Sequence, residues 1–200
     1  MSAVLTLNVQ DLPYDRSEIL RYCGAKKGTR QITDLMEDCI TEMTGKVSNR
    51  ICFAEFGIED CGGYFDLQFA KTDSSLVKKH LKNCKSVILF GATIGIEIDR
   101  LIGKYGVISP SRALMLQSIG AERIEALCNY FENKIKEQYK AEGKNVTSRI
   151  SAGYGDFPIE MQKPIFSVLD CPRKIGLSLN ESMLMSPSKS VTAIMGVQEK

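Results

Sequence analysis

One histidine, His80, stands in 200 residues, and that scarcity excludes much chemistry. A zinc centre lacks its usual imidazole ligands. His80 and Cys84 are four apart and share one face of a basic helix, but two ligands do not make a site. A Ser-His-Asp or Cys-His nucleophile would have to use His80, which has no nucleophile elbow near it. The phosphate-cradling pattern G-x-x-x-x-G-K-[ST] is absent. No catalytic residue and no metal ligand is assigned.

Other absences narrow the setting. The seven cysteines form no C-x-x-C and are odd in number, which fits reduced thiols in a cytoplasmic protein. The longest apolar stretch, Val87 to Ile96, is broken by Gly91, Thr93 and Gly95. It is about half the ~20 residues that span a bilayer. The first residues lack the basic start of a signal peptide, so neither leader nor membrane anchor is expected. With 26 basic against 24 acidic residues the net charge is +2, and nucleic acid is a poor partner.

What is present is ordinary for a globular chain: 44% hydrophobic and 25% charged residues. A chain this long buries roughly 70% of its unfolded surface, enough for one sizeable core. No linker divides it. Residues 1–200 are expected to form one domain, with an N-terminal helical part (1–45) and a main body (46–200).

Residues 3–9 alternate as a strand. Helices are expected from Asp15 to Cys23 and from Thr29 to Thr44, each stopped by a glycine. Arg50–Phe56 and Gly63–Phe69 read as two strands around an Asp-Cys-Gly-Gly turn. A basic helix over 74–84 precedes the apolar strand Ser86–Phe90. A helix to about Gly103 follows, then a long one from Ser109-Pro110 to Gly143, in which Gly120 marks a break or a close contact. A loop over 145–158, a helix over 158–169, and strands over 176–185 and 190–197 complete the pattern. Helices and strands mix without strict alternation, which points to α+β or a mixed sheet.

Three segments can carry chemistry. Gly91-Ala92-Thr93-Ile94-Gly95 reads as a strand-to-helix turn, either structural or facing an anion. On the second reading the chain is an independent enzyme with a phosphate site there. Arg149-Ile150-Ser151-Ala152-Gly153-Tyr154-Gly155-Asp156-Phe157-Pro158 joins an Arg that can fork onto a carboxylate, glycines that admit a ligand, and a flat aromatic face. Such a loop suits an amino-acid-bearing, nucleoside-like ligand, or else is an ordered connection. In Leu184 to Val191, Lys189 can meet an anion, or the segment is a plain turn.

The second and third segments, in their order, carry a resemblance. Arg149 to Pro158, then Gln162, then Leu179-Asn180-Glu181-Ser182 and Met185-Ser186-Pro187-Ser188-Lys189-Ser190-Val191, resemble the activation domain of cobalamin-dependent methionine synthase. The stand-alone activation subunit is the nearer likeness. Glu18 to Tyr22, Ala92 to Gly95, and Ser118 to Ala121 before Glu125 extend it over residues 10–197.

The resemblance implies an α+β fold with a single mixed or antiparallel twisted sheet flanked by helices. It implies binding of S-adenosylmethionine and transfer of its methyl group to cob(II)alamin, with cobalamin met only through the partner. The implied partners are a methionine synthase lacking its own activation domain, or another corrinoid protein, and an electron donor protein. The domain then serves methionine biosynthesis as an accessory to a methyltransferase. Arg149 corresponds to the ligand-carboxylate Arg, Ser151 to a main-chain contact, and Gly153 and Tyr154 to the Gly-Tyr of the same loop. Two positions depart: Ala152 replaces a Pro, and Met195 stands where the long enzyme has a ligand-contacting Tyr. Those departures motivate the alternative of a corrinoid-protein partner or chaperone that does not bind S-adenosylmethionine.

Overall fold

The computed structural model describes residues 3–10, 12–25 and 28–199. Strand β1 (Leu5–Asn8) leads to helix α1 (Arg16–Tyr22) and helix α2 (Arg30–Met43). Asp15 caps α1 by accepting from the amides of Ser17 and Glu18, and Thr29 caps α2. Gly24 and Gly45, both at positive φ, end the two helices as the sequence requires.

Next come β2 (Arg50–Gly57) and three two-residue strands: β3 (Glu59–Asp60), β4 (Phe65–Asp66) and β5 (Lys71–Thr72). Helix α3 (Ser75–His80), strand β6 (Ser86–Thr93), helix α4 (Glu97–Ile108) and the 32-residue helix α5 (Pro110–Ala141) follow. Strand β7 (Lys144–Val146), a 3-10 turn (Ile159–Met161), α6 (Gln162–Leu169), α7 (Cys171–Ile175), β8 (Ser178–Leu179), β9 (Met185–Ser186) and β10 (Ser190–Glu199) complete the order.

The main sheet runs β1-β2-β6-β10-β7, antiparallel throughout. Both faces are covered. On one, Ile88, Phe90, Ala193 and Met195 pack with α2, α4 and α5. On the other, Cys52, Leu89 and Ile194 pack with α3, α6 and α7. A strand buried on both faces needs no alternation, which explains the continuous Val-Ile-Leu-Phe of β6. The α+β fold with a main antiparallel sheet flanked by helices is therefore present, with two small sheets, β3-β4-β5 and β8-β9, added to the single one expected.

Several expected elements differ. Gly91–Thr93 is not a turn but the last three residues of β6, with Gly91 in register between Cys52 and Thr192. A Cβ at Gly91 would sit 3.2 Å from Cys171 Sγ, so its bareness lets α7 approach the sheet. Only Gly95 (φ +88°) turns the chain, with its amide donating to Thr93 Oγ1 at 3.2 Å. The phosphate-turn reading falls with this geometry. Gly63–Phe69 yields only β4, in a small sheet with β3 and β5. Gln68, at φ +65°, breaks the run.

Residues 176–185 are the hairpin β8–β9, not one strand. Its reversal is held by Asn180, whose side chain accepts from the amide of Leu184 at 2.9 Å. The basic helix stops at His80, and α4 runs on to Ile108. The helix after Pro158 opens as the 3-10 turn, and Asp170, at φ +51°, separates the unforeseen α7 from α6. Gly120 leaves α5 unbroken. A Cβ there would meet Lys189 Cε at 3.0 Å and Ile98 Cγ1 at 3.2 Å, so it is a close contact. Lys189 therefore lies over α5, and burial lowers its pKa.

A buried ion pair ties the N-terminal segment to α5. Arg123 Nε donates to Glu122 at 2.6 Å, Nη1 donates to the Leu12 carbonyl at 2.7 Å, and the guanidinium lies 4.0 Å over the Tyr14 ring. Both side chains are almost fully buried. Removing one partner strands a buried charge, so Arg123→Met should cost about 3–5 kcal/mol. Urea unfolding at unchanged m-value reads it; a loss within experimental scatter would refute the tie.

Candidate functional site

The site begins where β7 leaves the sheet. Ile150 exchanges two backbone hydrogen bonds with Ile194 of β10, at 3.0 and 2.9 Å, so Arg149 and Ser151 are fixed in register. His80 pins the same stretch from outside: its Nε2 lies 2.8 Å from the Ser148 carbonyl and 2.9 Å from Thr147 Oγ1. Burial holds its pKa below the ordinary value. The single histidine is thus a strut for this strand, and Cys84 packs under Gly196 instead of joining it.

Arg149 reaches across to α5. Nη1 donates to Asn129 Oδ1 at 2.9 Å and to Glu132 Oε2 at 2.7 Å, and Nη2 donates to Glu125 Oε2 at 2.8 Å. Its Nε–H has no partner among the described residues. Burial pushes the Glu132 carboxyl up, but bonds from Lys136 and Arg149 outweigh it and hold the pKa below the usual value. Glu132 therefore stays ionised at neutral pH.

Residues 151–157 form a tight loop. The Gly153 amide donates to the Phe157 carbonyl at 2.8 Å, and the Phe157 amide to the Tyr154 carbonyl at 2.9 Å. Gly153 (φ +97°) and Gly155 (φ +57°) supply conformations closed to most side chains. Phe157 is buried beneath the loop, while Tyr154 stands 70% exposed. Asp156 clamps the loop to α3, accepting from Ser74 Oγ at 2.7 Å and from the amides of Ser75 and Leu76 at 2.6 and 3.0 Å.

Arg149, Ser151 and Tyr154 line one cleft of about 510 Å³; Gly153 shapes the loop from behind. Residues not singled out as site groups also line it: Leu76, Glu125, Gln162, Met185 and Thr192 among them. Gln162 Oε1 and Thr192 Oγ1 are buried there without a hydrogen-bond partner among the described residues. Native structures rarely leave such atoms unpaired, so both have bonding capacity left for a water or a bound molecule. A second cavity of about 470 Å³ lies beside Glu55, whose carboxylate is already bonded: Tyr139 and Ser86 both donate to it. Lys189 is not among the cleft residues. Nor is Met195, which is fully buried on the α5 side of the sheet.

Comparison with known proteins gives matches of two kinds. The family model described as vitamin B12 dependent methionine synthase, activation domain, matches residues 69–200. The fold is similar to the crystal structure of the MetH reactivation domain bound to AdoHcy, with a TM-score of 0.70 and 14% identity over 97% of this chain and 78% of that one. No curated protein matches. Residues 3–68, outside the family match, supply β1 and β2 and complete the sheet.

The Asp156 clamp has a pH signature. Its three hydrogen bonds, that from Ser74 foremost, pull its pKa down to about 2. A depressed carboxylate stabilises the fold above its unfolded pKa of about 4 and loses that contribution as pH falls through the folded value. Wild type should be more stable than Asp156→Asn above about pH 4, with the gap closing toward about pH 2. Unfolding curves across that range test it; a gap independent of pH would remove the clamp's role.

Proposed function

Because the chain belongs to the vitamin B12 dependent methionine synthase activation domain family, we propose that residues 1–200 are one reactivation domain that binds S-adenosylmethionine in the Arg149–Thr192 cleft. Its partner is a cobalamin-dependent methionine synthase, or another corrinoid protein, that lacks such a domain, and the setting is the cytoplasm. The ligand supplies the sulfonium methyl group that restores oxidised cobalamin, and an electron donor protein supplies the electron.

The residues of this chain bind and orient. The observation that carries the reading is Arg149, gripped by α5 yet with its Nε–H edge unspent beside a cleft that holds two orphaned polar atoms. A fork of Nε and Nη2 suits a carboxylate. Glu125 gives one oxygen to Arg149, which leaves Oε1 for an ammonium. Together they complement an amino-acid zwitterion. Tyr154 offers a flat face for a purine. Holding the methyl group in one orientation is the entropic contribution such a domain makes.

Seven free cysteines fit a reducing compartment. No helix among the described residues is long and apolar enough to cross a membrane. A second reading, a corrinoid-protein partner of this fold that does not bind S-adenosylmethionine, rests on position 195, where the resemblance expects a ligand-contacting Tyr and a Met stands turned away from the cleft.

Calorimetric titration separates the two. Wild type should bind S-adenosylmethionine, and Arg149→Ala should bind it at least about tenfold more weakly, the worth of one charge-assisted hydrogen bond. Arg149→Lys, which keeps the charge and loses the fork, should fall between. Undiminished binding by Arg149→Ala overturns the carboxylate anchor, and no binding by wild type, alone or with its corrinoid partner, leaves the second reading.

A further inference from the structure

Gln162 is 5% exposed and Thr192 1% exposed, and Oε1 of one and Oγ1 of the other are unpaired in the same cleft. The one other atom of this kind among the described residues, Asn49 Oδ1, belongs to a separate concavity beside Tyr14 and Arg123. Both side chains line that cleft, and each has a buried polar atom with bonding capacity unspent.

We propose that the Gln162 carboxamide, with the Thr192 hydroxyl beside it, reads the amino-bearing edge of the ligand's purine ring. The assignment rests on the reading that the ligand is an adenosyl compound, and it adds residues that set base specificity.

The two ends of the cleft differ in chemistry. Arg149 is bound to α5, and it fixes the end that takes an amino-acid carboxylate. Gln162 opens α6, one 3-10 turn after the loop that carries Tyr154. The amide and the exposed aromatic face therefore line the same cleft, where a flat base has both a surface to lie on and an edge to be read. A carboxamide presents a donor and an acceptor side by side. Adenine presents the matching pair, its 6-amino hydrogens and the adjacent ring nitrogen. A ribose hydroxyl would meet only one of those amide groups. Thr192 lies on the β10 face opposite Met195, and its hydroxyl can donate or accept beside the amide.

A crossed titration decides the matter. The probes are S-adenosylhomocysteine and its analogue with hydrogen in place of the 6-amino group. The proteins are wild type, Gln162→Met and Thr192→Val, each checked by thermal melting, with Gln162→Leu as a second variant where Gln162→Met melts early. Wild type should prefer the amino-bearing probe by about tenfold, the typical worth of a bidentate amide–adenine pair. Gln162→Met should still bind, through Arg149, but favour neither probe by more than about twofold. Thr192→Val should weaken both probes, with a smaller effect on the preference. A wild-type protein that binds both probes equally, or a Gln162→Met variant that keeps the full preference, overturns the assignment while leaving adenosyl binding intact. Wild type that binds neither probe overturns the adenosyl reading itself, and this assignment with it.

Discussion

The grip of Glu132, Glu125 and Asn129 on Arg149 is the interaction on which the cleft depends. The Glu132 side chain is 12% exposed and that of Arg149 20%, so solvent screens the pair far less than a surface bridge. Glu132 is positioned in turn by α5, and α5 by Phe131, whose ring packs 5.0 Å from Phe53 and 4.9 Å from Phe90 of the sheet. The chain of cause runs from a doubly buried sheet to one helix, from the helix to one carboxylate, and from the carboxylate to the guanidinium. A binding group held this way loses little freedom when a ligand arrives.

The opposite wall rests on a different constraint, the closeness of α6 and α7 to the sheet. Gly91 leaves room for Cys171, whose sulfur lies 3.8 Å from that of Cys52, and so for the layer that carries Gln162. The loop between the walls would be free to swing, but Asp156 fastens it to the start of α3 and Phe157 buries its base. The cleft is therefore bounded by three elements with independent supports, and Tyr154 is the exposed member at its rim.

Much of this fold was legible in the residues. The caps Asp15 and Thr29, the three-and-four spacing of α2, and the Ser109-Pro110 start of α5 are local signals, and the helices follow them. What was not legible depends on distant partners. Gly91 looks like a turn residue until Cys171, eighty positions later, is seen to need the space. Asp156 is unremarkable in its loop; its partners lie about eighty residues earlier. Arg149, Ser151, Gly153 and Tyr154 were drawn out by loop chemistry and family resemblance together. Glu132 carries no motif, and neither Gln162 nor Thr192 could be known to lack a partner before its surroundings were in place.

The departure at Met195 is consistent with this arrangement. Along β10, Ala193, Met195 and Val197 belong to the core against α5, whereas Thr192 and Ile194 look to the other side. A Tyr at position 195 would place its hydroxyl in an apolar cluster with no room allotted to it, at the cost of an unpaired polar group. Met fills that space without such a penalty. The aromatic surface of the cleft then comes from Tyr154 on the loop, and its buried polar groups come from Gln162 and Thr192. A cleft built this way gains stacking surface from an exposed side chain and specificity from buried ones. In the proposed binding, the loop clamp at Asp156 and the packing of α6 therefore matter as directly as Arg149 does.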